Sequence, residues 1–226
     1  MTTRARVAVL VGCAVVTVLV AWYAGSRHPP SAGTPAPGTV RLGPEAGEDV
    51  AAYLARLPAT LPPDDVSAPA LVQFRAAVTP VEALAAVAGT TPRTAVFRVP
   101  LPRVQTALRF VALEPGVPAA TALSSARVRA QQTAAADARL PGRPGAVAAT
   151  EAAALDRADC SCVVALVVGG DRVALAALAG RAPVRAVEAA PPGTTDVELA
   201  LAPLLPEQTV RADPPPDDGP AAGGAR

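Results

Sequence analysis

The chain has no lysine: all 20 of its basic residues are arginine, and one histidine, His28, stands among 226 residues. Without lysine a serine–lysine dyad is impossible. With His28 alone, in a stretch rich in proline and glycine, neither a Ser-His-Asp nor a Cys-His constellation has its positioned base. Three cysteines and one distant histidine do not close a zinc site, so neither a metal nor a cofactor is expected. An excess of one charge is missing too. The 20 basic and 19 acidic residues leave a formal net charge of +1, without the clustered basic footprint of a nucleic-acid binder, and DNA and RNA are discounted as partners. Aromatic residues are 3% of the chain against 51% hydrophobic, so the core must be built from Ala, Val and Leu, whose contacts are individually small. The arginine-only cation set, with abundant Ala, Pro and Gly, reads as the coding bias of a GC-rich bacterial genome and carries no functional message.

What is present begins with one long uncharged run, Val7 to Ala24 (VAVLVGCAVVTVLVAWYA). As a helix rising about 1.5 Å per residue it would cover roughly 27 Å, close to the hydrocarbon thickness of a bilayer. Arg4 and Arg6 precede it together with the free amine, and Arg27 alone follows closely, so the positive-inside rule sets residues 1–6 in the cytoplasm. Trp22 and Tyr23 then fall at the outer interface, and Cys13 is a small apolar packing residue within the span. A cleaved signal peptide is the rival reading, but cleavage after Ala24 would set bulky Trp22 where a small residue is wanted. The expectation is a single-pass plasma-membrane protein, held in the lipid bilayer by residues 7–24 with its C-terminus extracytoplasmic.

Residues 25–47 are rich in Pro, Gly, Ser and Thr without periodicity and read as a semi-extended linker. An extracytoplasmic domain is expected over 48–212, room for one medium-sized unit. It opens on a short helix carrying Val50, Tyr53, Leu54 and Leu57 at helical spacing, which Pro58 and the following prolines end. Residues 213–226 (DPPPDDGPAAGGAR) lack the apolar surface to offset ordering entropy and read as a disordered tail, with Asp213, Asp217 and Asp218 as solvated charge. A calcium cage there is disfavoured by the prolines between the carboxylates.

Within the domain the sequence repeats itself. Ala83–Gly89 reads ALAAVAG and Ala174–Gly180 reads ALAALAG, and without a gap Pro92 aligns with Pro183 and Ala95-Val96 with Ala186-Val187. Each copy lies between apolar strand-like runs: Leu71–Val78 and Thr94–Val99 around the first, Cys162–Val168 and Val184–Ala189 around the second. Thr79 with Glu82 forms a capping box, Asp171 is an N-cap, and Gly89 and Gly180 stand at the helix ends. Two β-α-β units predict an α+β body of the ferredoxin-like sandwich type, four antiparallel strands with two helices on one face. Alternation across 103–112 adds a fifth strand, with Val104, Thr106, Leu108, Phe110 and Ala112 on one side. Residues 117–159, Ala-rich and broken at Pro141-Gly-Arg-Pro-Gly145, read as an insertion of two helices, and Val197 to Leu205 as a return to the sheet edge.

Cys160 and Cys162 are the candidate site. Alternate residues at the mouth of a strand face the same way, so their sulfurs can meet on the oxidising side of the membrane. So small a loop has the profile of a redox-active bridge, whereas a local bridge without function is the bland reading. Asp64, Asp65, Glu82, Glu114, Glu151 and Glu188 could supply paired carboxylates, but nothing in their spacing sets two of them across a cleft. Gly169-Gly170 before a helix lacks the full phosphate-binding fingerprint, and Arg93, Arg98, Arg103 and Arg109 read as outward edge charges. The expected function is therefore a non-enzymatic envelope module that binds another envelope protein or a cell-surface component. The alternative is a small redox or sensory protein using Cys160 and Cys162.

Overall fold

Leu71 and Val72 are neighbours in one apolar run, and both are fully buried. Because a strand alternates its side chains, a strand buried on both faces must lie between two layers. The computed structural model, which describes residues 37–220, contains both layers. A short strand, Val40–Leu42 (β1), leads to helix Val50–Arg56 (α1), and a 3-10 turn at Leu57–Thr60 follows. Then come Ala68–Val78 (β2), Pro80–Ala86 (α2), Thr91–Phe97 (β3) and Arg109–Ala112 (β4). Helices Ala119–Asp137 (α3) and Gly142–Asp156 (α4) intervene before Val163–Gly170 (β5), Arg172–Ala179 (α5), Val184–Ala189 (β6) and Leu199–Leu201 (β7).

Five of the strands make one antiparallel sheet in the order β4-β3-β5-β2-β6, so the protein is of the mixed α+β class. On one face Val72 and Phe74 of β2 and Leu166 and Val168 of β5 share a cluster with Ala83 of α2, Leu123 of α3, and Leu175 and Leu178 of α5. On the other face Leu71, Val164 and Val167 join Leu42 of β1, with Leu199 and Leu201 of β7 packed against them. Val50, Tyr53 and Leu57 cover Ala186 on that same second side, together with Leu204 and Ala212. Residues 37–60 and 199–212 thus form the second cover.

Local signals explain the helices. Thr79 accepts from the Glu82 amide while Glu82 reaches back to the Thr79 amide, and Asp171 accepts from the Ala174 amide. The two copies of the repeat become β2-α2-β3 and β5-α5-β6, but they end differently. Gly89 adopts φ +88°, whereas Gly180 ends α5 in a right-handed conformation at φ −84°. The insertion is a helical hairpin, and its break falls at the Pro141-Gly142 step.

Several stretches depart from the sequence expectation. Part of the linker belongs to the body: β1 pairs in parallel with β7, Val40 opposite Leu199. Gly43 there has φ +120°, and a Cβ on it would stand 1.8 Å from the Ala202 carbonyl oxygen, so its glycine is required by close approach. β7 accordingly joins β1 in a separate two-stranded sheet instead of returning to the edge of the large one. The strand expected over 103–112 contracts to β4, and its faces are reversed: Phe110 is 46% exposed and Arg109 only 8%. Arg109 turns inward because two carboxylates receive it there. Residues 213–220, read as tail, lie along the surface in defined contacts. Among the described residues no helix is long and apolar enough to cross a membrane, and the span expected at 7–24 lies outside them.

Candidate functional site

Cys160 and Cys162 are bonded to each other, with 5.3 Å between their Cα atoms. The pair sits where the chain leaves α4 and enters β5. The Cys162 amide donates to the Val78 carbonyl at 3.1 Å, and the Arg98 amide donates to the Cys162 carbonyl at 2.8 Å. Cys160 is 6% exposed and Cys162 1%. Thiol–disulfide exchange needs an attacking thiolate to reach a sulfur, and these sulfurs are enclosed. His28 and Cys13 lie outside the described residues.

The second polar group is built around Glu188 of β6, on the sheet face away from the helices. Its Oε2 accepts from the Tyr53 hydroxyl at 2.9 Å and from the Gly43 amide, and its Oε1 accepts from Arg56 Nη1 at 3.0 Å. Gln73 of β2 donates to the Tyr53 oxygen at 2.7 Å and accepts from the Leu204 amide at 2.6 Å. Burial foremost, and the Glu188 charge behind it, push the Tyr53 phenol well above its usual range, against the opposing Gln73 bond. The Arg56 guanidinium also lies over the Tyr53 ring, 4.7 Å from its centroid. The turn after β1, helix α1 and, through Gln73, the Leu204 amide are thus tied to one buried carboxylate.

The third group lies at the opposite edge of the sheet. Arg109 of β4 donates to Glu151 Oε2 at 2.6 Å and to Asp137 Oδ2 at 2.8 Å, and Glu151 Oε1 accepts from the Ala107 amide at 2.7 Å. Burial opposes the Arg109 charge, but these bonds outweigh it and hold the guanidinium more basic than usual. Beside this brace lies an open cavity of about 290 Å3, lined by Gln105, Arg109, Asp137, Arg143 and Glu151 and bounded by Asp217. Asp217 Oδ1 accepts from Arg143 Nη2 at 2.8 Å and from the Gln105 amide at 3.0 Å. Asp218 is bound by the forked guanidinium of Arg103, with 2.7 Å between Nε and Oδ1. That bond holds the Asp218 carboxyl below its usual range and the Arg103 guanidinium above its own.

The remaining candidates have structural employment. Glu82 caps α2, Glu114 pairs with Arg129, and Asp64 pairs with Arg172. Asp65 sits in a left-handed turn conformation at φ +65°. Among the described residues the buried carboxylates, Glu151 and Glu188, are at the β4 and β6 edges, so they do not face each other across a cleft. Over Gly169 lies the Arg93 guanidinium, 2.7 Å from where a Cβ would stand, and the α5 N-terminus beyond is capped by Asp171. The four arginines read as edge charges each hold an acid: Arg93 holds Asp196, Arg98 holds Glu207, Arg103 holds Asp218, and Arg109 holds Asp137 and Glu151. Among the described residues no group of three or more His, Cys, Asp or Glu is arranged to hold a metal ion.

Sequence reasoning missed the Arg103, Arg143 and Asp217-Asp218-Gly219 contacts. The available signal was a pair of carboxylates after a proline run, stiff enough to be laid down as an extended strip. What could not be read was that arginines more than 70 positions away, Arg143 and Arg103, would face them. Compared with known proteins, the chain matches no family model, and no curated protein and no solved structure shows significant similarity to it.

Proposed function

We propose that the chain is a membrane-anchored, extracytoplasmic binding module of the cell envelope, non-enzymatic, with a ferredoxin-like sandwich as its body. For the fold, the support is the two β-α-β units and the sheet order β3-β5-β2-β6, which interleaves their strands, with β4 added as an outer hairpin strand. For the role, the carrying observation is how the charged side chains are distributed. Glu151 and Glu188 are buried and consumed as braces, whereas Arg103 and Arg143 face outward and hold Asp218 and Asp217 in exposed pairs, Arg143 beside a cavity. Charge used inward as a brace and presented outward as a groove suits recognition better than proton transfer. The anchor and the outer location rest on the uncharged run at 7–24 and on Arg4 and Arg6 before it.

A periplasm-dependent reporter enzyme fused to the C-terminus tests the topology: it should be active in intact cells, and a cytosolic reporter overturns the proposal. The redox alternative is favoured only by the bridge itself and weighed down by its burial. Replacing both Cys160 and Cys162 by serine separates the two readings. A bridge closing a loop between positions two apart constrains little of the unfolded chain, so the double variant should lose no more than about 2 kcal/mol in denaturant titration. In cells it should behave as the wild type does. Loss of cellular function in a variant that still folds would favour the redox reading.

A further inference from the structure

Residues 213–220 belong to no sheet and most of them are solvent-exposed, yet three consecutive ones are individually recognised. Asp217 is held by Arg143 and the Gln105 amide, and Asp218 by the fork of Arg103. Gly219 donates its amide to the Arg103 carbonyl at 2.6 Å and is itself buried. A Cβ at Gly219 would stand 2.3 Å from the Pro102 carbonyl oxygen and 2.7 Å from that of Arg103, both backbone atoms, so only glycine fits. Upstream, Pro215 accepts from the Gln105 side chain at 2.7 Å, and Pro215 and Pro216 share the lining of a cavity with Pro100–Val104. The read-out is therefore an extended proline-led segment ending in Asp-Asp-Gly.

Two further observations mark the receiving surface as a clamp. Arg103, which contributes both guanidinium and carbonyl, has φ +54°, one of two non-glycine residues in the left-handed region among those described. Such conformations cost free energy and concentrate at ligand clamps. The chain's own segment also leaves the site incompletely used. Among the described residues, Arg143 Nη1 and the Nε of the nine-tenths-buried Arg109 have no acceptor, and both side chains line the cavity beside Asp217.

We propose that this groove is a docking site for an extended, acidic, proline-containing segment of a partner protein, recognised through Asp-Asp-Gly, and that residues 213–219 occupy it in cis. This rests on the binding-module reading and names the partner's chemistry. The cis contacts are exposed ion pairs, each worth little in water, so the segment is displaceable. Both unpartnered N–H groups are enclosed, so a ligand with another acceptor engages them only where the arginine side chains shift, and it competes with the tethered segment for the groove.

The test uses full-length protein in detergent and a fluorescein-labelled peptide with the sequence of residues 213–220, followed by fluorescence anisotropy. In the Asp217→Asn/Asp218→Asn protein the cis competitor is weakened, and the peptide should bind roughly tenfold more tightly than to wild type. Adding Arg103→Ala should abolish that gain. On the peptide side, which leaves the protein's folding untouched, Gly219→Ala or asparagine at both acidic positions should eliminate binding. Equal binding to wild type and double-Asn protein, or undiminished binding of the Gly219→Ala peptide, overturns the proposal. A wild-type dimer that the double-Asn variant dissolves also overturns it, because the clasp then belongs to a second copy. Failure here with an extracytoplasmic reporter removes only the groove, whereas a cytosolic reporter removes the module reading whatever the peptide does.

Discussion

Glu188→Ala is expected to lower the unfolding free energy by about 3–5 kcal/mol, measured by denaturant titration followed by far-UV circular dichroism. The side chain is 5% exposed, and its loss strands three donors at once: the Tyr53 hydroxyl, the Gly43 amide and Arg56. The first two are enclosed and cannot turn to water, so each brings its own desolvation cost. Arg56 is 43% exposed and finds water, which keeps the effect from growing further. Glu188→Gln keeps one acceptor oxygen, enough for the Tyr53 hydroxyl and the Gly43 amide, but turns an NH2 donor toward Arg56, and should cost about 1–3 kcal/mol. Tyr53→Phe should add less than its full cost to Glu188→Ala, because both remove the Tyr53–Glu188 bond, the remainder being the buried Gln73 donor that only Tyr53→Phe strands. A cost below about 1 kcal/mol for Glu188→Ala would mean that the second cover does not depend on β6.

The Arg109–Glu151 brace should behave differently under single and double substitution. Arg109→Met leaves Glu151, 3% exposed, with the Ala107 amide as its one remaining donor and should cost about 3–5 kcal/mol. Glu151→Leu leaves Arg109 with Asp137, which is 44% exposed and less able to compensate a buried guanidinium, and should cost somewhat less. The double variant Arg109→Met/Glu151→Leu should return to within about 1 kcal/mol of wild type, because the expense of burying the pair disappears with the pair. Coupling of that size identifies a structural brace. A double variant as unstable as the two singles summed would show instead that β4 needs the ionic bonds themselves to keep its inverted face.

That inversion shows where sequence reading stops. The alternation of Val104, Thr106, Leu108, Phe110 and Ala112 with more polar neighbours is real, and it predicts an apolar inward side. In the fold Arg109 is inward and Phe110 outward, because β4 is the sheet edge beside the α3–α4 hairpin, and Asp137 and Glu151 from that hairpin meet it. The interior strands had no such competitor. β5 lies within two residues of the expected Cys162–Val168 and β2 contains the expected Leu71–Val78, since burial on both faces leaves apolar runs to interpret, and the edge strand β6 coincides with Val184–Ala189. Likewise Thr79 with Glu82, and Asp171, are caps whose partners lie three residues away, within reach of local reasoning. The linker and tail failed for the opposite reason: Gly43 answers to Ala202, and Asp218 to Arg103.

By itself, then, the order of residues determined the duplicated β-α-β plan, the helical hairpin between its halves, and the caps. These rest on periodicity and on contacts a few positions apart, which the chain carries locally. Tertiary structure alone decided the second cover over the sheet, the engagement of Glu188 and Glu151, and the clasp that Arg103 and Arg143 close on Asp217, Asp218 and Gly219. Each of those joins residues tens of positions apart. A charged side chain takes whatever partner the packed core brings to it, and that choice leaves no period in the sequence.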